Sequence, residues 1–302
     1  MKTMNVTSNK IKFLILPLVI IAAGIVMYFV HGGFNFDIEF MGGIRMQVDM
    51  EQSFSNEEIS SYLEEVSGIT PIIVQAGNGT IATIKFQKVE DGDEEEVKNL
   101  IFSSLKEKYG LSAEAPVSAN SASASFGGET QRKAFTYTLI AIICILIYIA
   151  FRFEWRSAVM AVISLALNIL VMLAVYAISY TPLNTTFIAA MLTIIGYSIN
   201  NTIVVFDRIR ENMKGFKAKK NGEKVSAVVD RSIAESMGRT LNTTITTLIT
   251  IVLLYFLGVS AIKEFAFPLI IGVLAGAYSS IFIASPFWAS WKEAELEGAS
   301  QK

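Results

Sequence analysis

The chain has 302 residues, 52% of them hydrophobic and only 17% charged. Its mean hydropathy is +0.49. Soluble domains carry about 25% charged residues, so this composition argues against one water-soluble core and for several lipid-facing segments. The formal net charge of −2 hides opposite charges segregated along the sequence, and one cysteine (Cys144) with one histidine (His31) builds neither a disulfide framework nor a zinc site.

Residues 1–12 form a short basic N-terminus, with Lys10 and Lys12 ahead of the apolar run Phe13–Val30. The run is longer than a signal-peptide core, and His31-Gly32-Gly33-Phe34 is not a small-residue cleavage site, so it reads as an uncleaved first span. Five further segments read as spans: Ala134–Phe151, Ala158–Tyr180, Thr186–Phe206, Leu241–Leu257 and Phe265–Trp288. The expected layout is a polytopic α-helical membrane protein with six transmembrane helices. Helix 1 covers 13–30, a domain covers 31–133, a five-helix region covers 134–289, and a tail covers 290–302. Basic residues lie before the first span, between the second and third (Arg152, Arg156), and in a loop at about 207–239. All three segments fall on one side, which the positive-inside rule makes cytoplasmic, with both termini. The basic loop reads as an anchor facing anionic headgroups rather than as a nucleic-acid surface.

The opposite side receives 31–133, which holds the acidic cluster Glu90-Asp91-Gly92-Asp93-Glu94-Glu95-Glu96. Ile44, Met46, Val48 and Met50 alternate as a half-buried strand. Ser55 and Glu58 predict a capping box opening a helix with Ile59, Leu63 and Val66 on one face. Pro71–Gln75 and Thr80–Gln87 predict strands joined by a Gly77-Asn78-Gly79 hairpin turn. Asp93–Lys108 predicts a second helix stopped by Gly110, and Glu114–Asn120 a last strand, with Ser118–Ser125 as a flexible lead into the second span. The order is β-α-β-β-α-β, predicting a small extracytoplasmic α+β ferredoxin-like domain. It shows no nucleophile–base pair and no metal cluster.

Polar groups inside a span are costly and mark function or interhelical packing. In the fourth span Ser198, Asn201 and Thr202 share a face, Asn200 neighbours them, and Gly196 predicts a close helix approach. The span ends in Asp207 and Arg208. The fifth span opens with a stripe of Arg239, Asn242, Thr243, Thr246 and Thr247. Lipid cannot satisfy such stripes, so the two are expected to face each other.

The run Gly196-Tyr197-Ser198-Ile199-Asn200-Asn201-Thr202-Ile203-Val204-Val205-Phe206-Asp207-Arg208-Ile209-Arg210-Glu211-Asn212 closely resembles a signature of the SecD/SecF family of the RND superfamily, as does Arg239-Thr240-Leu241-Asn242-Thr243. Phe36-Asp37-Ile38-Glu39-Phe40-Met41-Gly42-Gly43 is similar to the family's motif near helix 1, in which Asp37, Glu39, Gly42 and Gly43 hold motif positions. The resemblance covers about the whole length. It implies an accessory subunit of the protein-export translocase with no covalent chemistry and no cofactor. Its partners would be a SecD-like subunit, the SecYEG channel, the SecA motor and the translocating precursor, with an ion gradient driving movement of the extracytoplasmic domain. Asn201 stands where the family has an Asp, and Asn does not exchange a proton. Glu39 and Met41 likewise stand where the family has Asp and Thr. Either the acidic site lies on the SecD-like partner, with Arg239 tuning it, or a coupling ion is held by neutral oxygens of Ser198, Asn200, Asn201 and Thr243. Two other readings are half of an RND-type transporter for lipids or small molecules, and an intramembrane enzyme. The second lacks a histidine in any span.

Overall fold

The computed structural model describes residues 5–68, 71–76, 80–87, 94–111, 117–122, 129, 132–133, 136–141, 143–144, 147, 154–216 and 224–300. The chain divides into two units. One comprises Met1–Phe34, Tyr137–Thr181 and Thr186–Lys302, and the other Asn35–Thr136 with Pro182–Thr185. Among the described residues five helices are long and apolar enough to cross a membrane: Thr7–Val30, Trp155–Ser179, Thr185–Lys214, Val225–Leu257 and Ala261–Gly298. Half of the expected span Ala134–Phe151 lies outside the described residues, as do the Gly77-Asn78-Gly79 turn and part of the acidic cluster.

The second unit opens with α2 (Ile38–Met41) and β1 (Gly43–Asp49), then α3 (Asn56–Ser67), β2 (Ile72–Ala76), β3 (Ile81–Gln87), α4 (Glu94–Tyr109) and β4 (Val117–Ala122). The four strands order β2-β3-β1-β4, and every neighbouring pair is antiparallel. Val48 lies opposite Ala82, Met46 opposite Ile84, and Ile44 opposite Phe86. The alternation therefore turns Ile44, Met46 and Val48 of β1 and Ala82, Ile84 and Phe86 of β3 to one face. There they meet Ile59 and Leu63 of α3 and Ile101 and Leu105 of α4, all fully buried. Gly68 closes α3 in the left-handed conformation, at φ 69°, and its N–H donates to the Glu64 carbonyl. The expected capping box does not form. Ser55 Oγ donates to Glu57 at 2.7 Å instead, and the Glu58 carboxylate accepts from the Tyr109 hydroxyl of α4.

The first unit begins with a 3-10 turn, Thr7–Asn9, and α1 (Lys10–Val30). It continues with α5 (Trp155–Ser179), α6 (Thr185–Lys214, from residue 186 in this unit), α7 (Val225–Leu257), α8 (Ser260–Ser279), a π-helical turn (Ser280–Ala284) and α9 (Ser285–Ser300). α6 and α7 run well past the expected spans. The region at about 207–239 is thus mostly helix, not loop. Hydropathy ends with the apolar segment, whereas the start of α7 continues as an amphipathic helix that buries Val225, Val228, Val229, Ser232 and Ile233.

Close approaches set the packing of this unit. A Cβ on Gly24 of α1 would lie 2.5 Å from Ala174 of α5. On α8, the sequence Gly272-Val273-Leu274-Ala275-Gly276 is a small-xxx-small motif, which lets two backbones meet in lipid. A Cβ on Gly272 would fall 2.5 Å from Ile194, and one on Gly276 3.1 Å from Ser198. Gly196, expected to admit a neighbour, is exposed and meets nothing. The intimate contact therefore comes from the facing helix. Within α1, Pro17 has no N–H to offer the Phe13 carbonyl four residues back. The Tyr278 hydroxyl fills that place, donating to Phe13 O at 2.7 Å.

Gly272→Val is expected to destabilise the α6–α8 contact by about 1–3 kcal/mol, the usual cost of overpacking. Gly196→Ala should change stability by less than about 0.5 kcal/mol. Thermal unfolding of the two purified variants in detergent compares them, and an equal shift in both would contradict the assigned contact.

Candidate functional site

The fourth-span polar row is buried. Ser198, Asn201 and Thr202 are 1%, 2% and 3% exposed. The helices facing Ser198 and Thr202 are α5 and α8, not the fifth span as expected. The Asn168 amide of α5 sits 2.6 Å from Ser198 Oγ. With its oxygen toward that hydroxyl, its nitrogen faces Ser279 Oγ at 2.7 Å, the Ala275 carbonyl at 3.1 Å and the Ser164 carbonyl at 3.2 Å. Thr202 Oγ1 lies 2.8 Å from Ser280 Oγ and 3.1 Å from the Ser198 carbonyl, and Ser280 Oγ lies 2.8 Å from the Gly276 carbonyl. Each hydroxyl has one proton, so the pair can donate to either helix and still bond to each other. Ser285 Oγ donates at 3.0 Å to the Ser280 carbonyl, at the five-residue spacing of the π-helical turn.

A second group of polar atoms is buried without a partner among the described residues: the Asn201 amide nitrogen and the hydroxyls of Tyr197, Thr240 and Thr244. Arg208 Nε donates to Glu235 at 2.7 Å and the Asn212 amide to Ser232 at 2.9 Å, which fixes α6 and α7 as antiparallel neighbours. Stepping seven residues up each helix from the Arg208–Glu235 bond brings Asn201 level with Asn242, between Thr240 and Thr244. An unpartnered buried polar atom costs about 1–3 kcal/mol. Four of them on two adjacent helices are a feature that packing alone does not explain. Apart from Asp230, the buried polar residues of this unit among the described residues are Ser, Thr and Asn. Asp230 is held by the N-terminal turn. It accepts from Val6 N at 3.1 Å, Thr7 N at 2.9 Å and Thr7 Oγ1 at 2.8 Å.

The expected fifth-span stripe points outward. Arg239, Asn242, Thr243 and Thr246 are exposed on the chain's own surface and Thr247 is half-buried. The threonine hydroxyls of this row turn back to their own helix: Thr243 to the Arg239 carbonyl at 3.0 Å, Thr246 to Asn242 at 2.9 Å and Thr247 to Thr243 at 2.8 Å. The guanidinium of Arg239 and the amide of Asn242 have no such local outlet. On α6, Thr193, Asn200 and Asp207 are exposed at steps of seven residues. The buried face of α7 is a different ladder, Ser232, Ser236, Thr240 and Thr244 at steps of four. That repeat of small hydroxyls is the signal in the sequence that would have identified the inward face.

The motif near helix 1 belongs to the other unit and does a different job there. Asp37 is 2% exposed; its carboxylate accepts from Ile38 N at 2.7 Å and from Lys85 Nζ at 2.7 Å. Lys85, on β3, is itself 4% exposed. Glu39 accepts from Thr185 N and Thr185 Oγ1 at 2.8 and 2.6 Å, and Asp37 N donates to Leu183 O at 2.8 Å. Gly42 and Gly43 turn the chain into β1 at φ 79° and 135°, where a side chain would be strained. These four residues form a joint between α2, β1, β3 and the 182–185 segment. Among the described residues no group of three or more His, Cys, Asp and Glu could hold a metal ion.

Residues 102–294 match the family model of the protein export membrane protein SecD/SecF, C-terminal. The chain is 35% identical to the protein translocase subunit SecF of Alicyclobacillus acidocaldarius, over 96% of this chain and 93% of that one. It is 34% identical to the protein translocase subunit SecDF of Bacillus subtilis, over 96% of this chain but 38% of that one. The crystal structure of SecDF from Thermus thermophilus superimposes with a TM-score of 0.82 at 31% identity, covering 96% of this chain and 39% of that chain. The chain therefore spans about two fifths of the SecDF proteins that it matches.

Lys85→Met would leave the Asp37 carboxylate buried without its cation, and is expected to destabilise the α+β unit by about 3–5 kcal/mol. Lys98→Met, at a partly exposed i,i+3 pair with Glu95, should cost less than about 1 kcal/mol. Limited proteolysis of the two variants reads the difference, and equal resistance would rule out a structural role for the buried pair.

Proposed function

The chain belongs to the SecD/SecF family of protein-export membrane proteins, and from that membership we propose that it works as an accessory subunit of the Sec protein translocase. In this reading it pairs with a SecD-like subunit and promotes export of secreted and membrane proteins at the expense of an ion gradient. It carries out no covalent chemistry. The SecYEG channel, the SecA motor and the translocating precursor are the remaining partners. We further propose six spans, with 134–151 as the second, both termini cytoplasmic, and 31–133 as an extracytoplasmic ferredoxin-like head. The antiparallel β2-β3-β1-β4 sheet with its β-α-β-β-α-β order supports the last of these. The segregation of basic residues supports the orientation.

The observation that carries the proposal is the outward polar row Arg239, Asn242 and Thr243 on α7, with Asn200 and Asp207 exposed on α6. Hydrocarbon cannot satisfy a guanidinium or an amide, so such a row belongs against another protein surface or a hydrated path. A second membrane half meets that need, and the SecDF relatives, of which this chain spans about two fifths, are long enough to carry one. Asn201 cannot exchange a proton. The ionisable carboxylate of an ion path would then lie on the SecD-like side, with Arg239 facing it. The buried, unpartnered Asn201, Thr240 and Thr244 would supply neutral oxygens and an amide beside it. Ser198 and Thr202 hold helices together in this scheme, since their bonds close inside the chain.

The test combines contact and activity. In a Cys144→Ser background, Asn242→Cys should cross-link to the SecD-like subunit in membranes, whereas Ile163→Cys on the exposed side of α5 should not. Arg239→Leu should slow a late step of precursor export at least about tenfold, the scale for removing one partner of a buried charge pair, and Thr250→Ala should leave it unchanged. Asn201→Asp should alter how export depends on the ion gradient. Export at the normal rate in Arg239→Leu, with no cross-link at 242, would refute the assignment.

A further inference from the structure

A groove of about 410 Å³ runs between α1, α5 and α8 in the membrane unit. Its walls are Leu16 and Ile20 of α1, Val171 and Val175 of α5, Leu274 of α8 and Ile283 of the π-helical turn. Leu16 and Leu274 are about half exposed, at 53% and 51%, so the groove opens to the outside of the chain. Three side chains with polar groups line it, Asn168, Tyr278 and Ser279, and each is engaged inside the protein. The groove therefore offers a guest hydrocarbon contact and almost no hydrogen bonds.

The size of the groove selects among possible occupants. A helix is about 10 Å across, so 410 Å³ would accept roughly one turn of it, too little to dock a transmembrane partner. A single acyl chain is thinner and fits lengthwise. On α1 the groove-lining ladder Leu16, Ile20 continues one turn back to Lys12, at the same four-residue step and on the same face. Lys12 is exposed and stands at the basic end of the helix. An apolar slot with a lysine one helical turn beyond its wall is complementary to a lipid with an acyl chain and a phosphate. A second groove of about 400 Å³ is lined by Gly24, Ile25 and Tyr28 farther along α1 and by Ala174 of α5; neither lining includes a lysine, and the first groove is the one with Lys12 a turn beyond its α1 wall.

We propose that the α1–α5–α8 groove is a binding site for one acyl chain of an anionic phospholipid, whose phosphate is held by Lys12. Binding there fills the space beside the Asn168–Ser198–Ser279 cluster with hydrocarbon. It also keeps Pro17, which has no N–H to donate, and the Tyr278–Phe13 bond that compensates for it shielded at the groove wall.

The experiment uses nanodiscs holding the full chain, with and without its co-expressed partner subunit. A phosphatidylglycerol carrying a photoreactive group in its acyl chain is compared with the matching phosphatidylcholine. Phosphatidylglycerol should label the segment containing Leu274 in both preparations. Lys12→Gln should reduce that labelling about fivefold, the scale of one lysine near an anionic surface, and leave phosphatidylcholine labelling unchanged. Leu274→Trp should fill the groove and remove labelling by both lipids, whereas Leu253→Trp, on the exposed side of α7, should not. Equal phosphatidylglycerol labelling in wild type and Lys12→Gln, persistence in Leu274→Trp, or loss of labelling when the partner is present would each overturn the proposal.

Discussion

Inside a bilayer there is no water to take a spare hydrogen bond, so every polar group must be answered by protein or moved to the surface. That constraint explains most of what the membrane unit does with its polar residues. Pro17 frees the Phe13 carbonyl, and a tyrosine hydroxyl from α8 takes it. In the π-helical turn the Ser285 hydroxyl is answered by the Ser280 carbonyl. Exposed threonines along α7 fold their hydroxyls onto their own backbone. Where no such local answer is available, as at Arg239 and Asn242, the group sits on the outside, where a second protein surface can reach it.

The α+β unit obeys the ordinary rules of a water-soluble core, with one exception. Its helices cover one face of the sheet, and the alternating strands supply the apolar side chains. The exception is the buried Asp37–Lys85 pair. Taking two charges out of water gains little net stability, but removing one of them is expensive. A pair of this kind therefore specifies where the chain between α1 and β1 must sit more than it strengthens the fold. Glu39 adds a second tether in the same place by accepting two bonds from Thr185. The family motif near helix 1 is, in this chain, a device for fixing a joint.

Much of this was legible in the sequence. Ile44, Met46, Val48 and Met50 announced β1, the four-residue steps of Ile101 and Leu105 announced α4, and apolar length announced the five membrane-length helices. The helical wheel also grouped Ser198, Asn201 and Thr202 correctly. What it could not supply was direction, because residue spacing gives relative angles around a helix and not which face meets a neighbour. The α7 stripe was accordingly assigned inward when the ladder Ser232, Ser236, Thr240 and Thr244 holds that place. Lys85 was missed because a lysine in an alternating strand normally marks the solvent face. Asn168 was missed although it is a strong amide donor in an otherwise apolar span, a signal that polar residues in lipid provide. The Gly272–Gly276 motif was present in the sixth span, while attention fell on Gly196 of the facing helix.

The chemistry of the buried centre follows from what it leaves out. A carboxylate there would need a cation beside it and would cost several kcal/mol to bury without one. Hydroxyls and amides need neither, and each bond between helices contributes only about 0.6 kcal/mol. The cluster around Asn168, Ser198, Thr202 and Ser280 thus holds α5, α6 and α8 by several weak bonds, not by one strong pair. Because Thr202 and Ser280 have more acceptors than protons, a small displacement of one helix can exchange one bond for another without stranding a group. The close contacts at Gly272 and Gly276 work in the opposite sense, since backbone packed that tightly resists sliding. Geometry at the glycines and chemistry at the serines therefore divide the task, one fixing how near α6 and α8 lie and the other letting their register adjust.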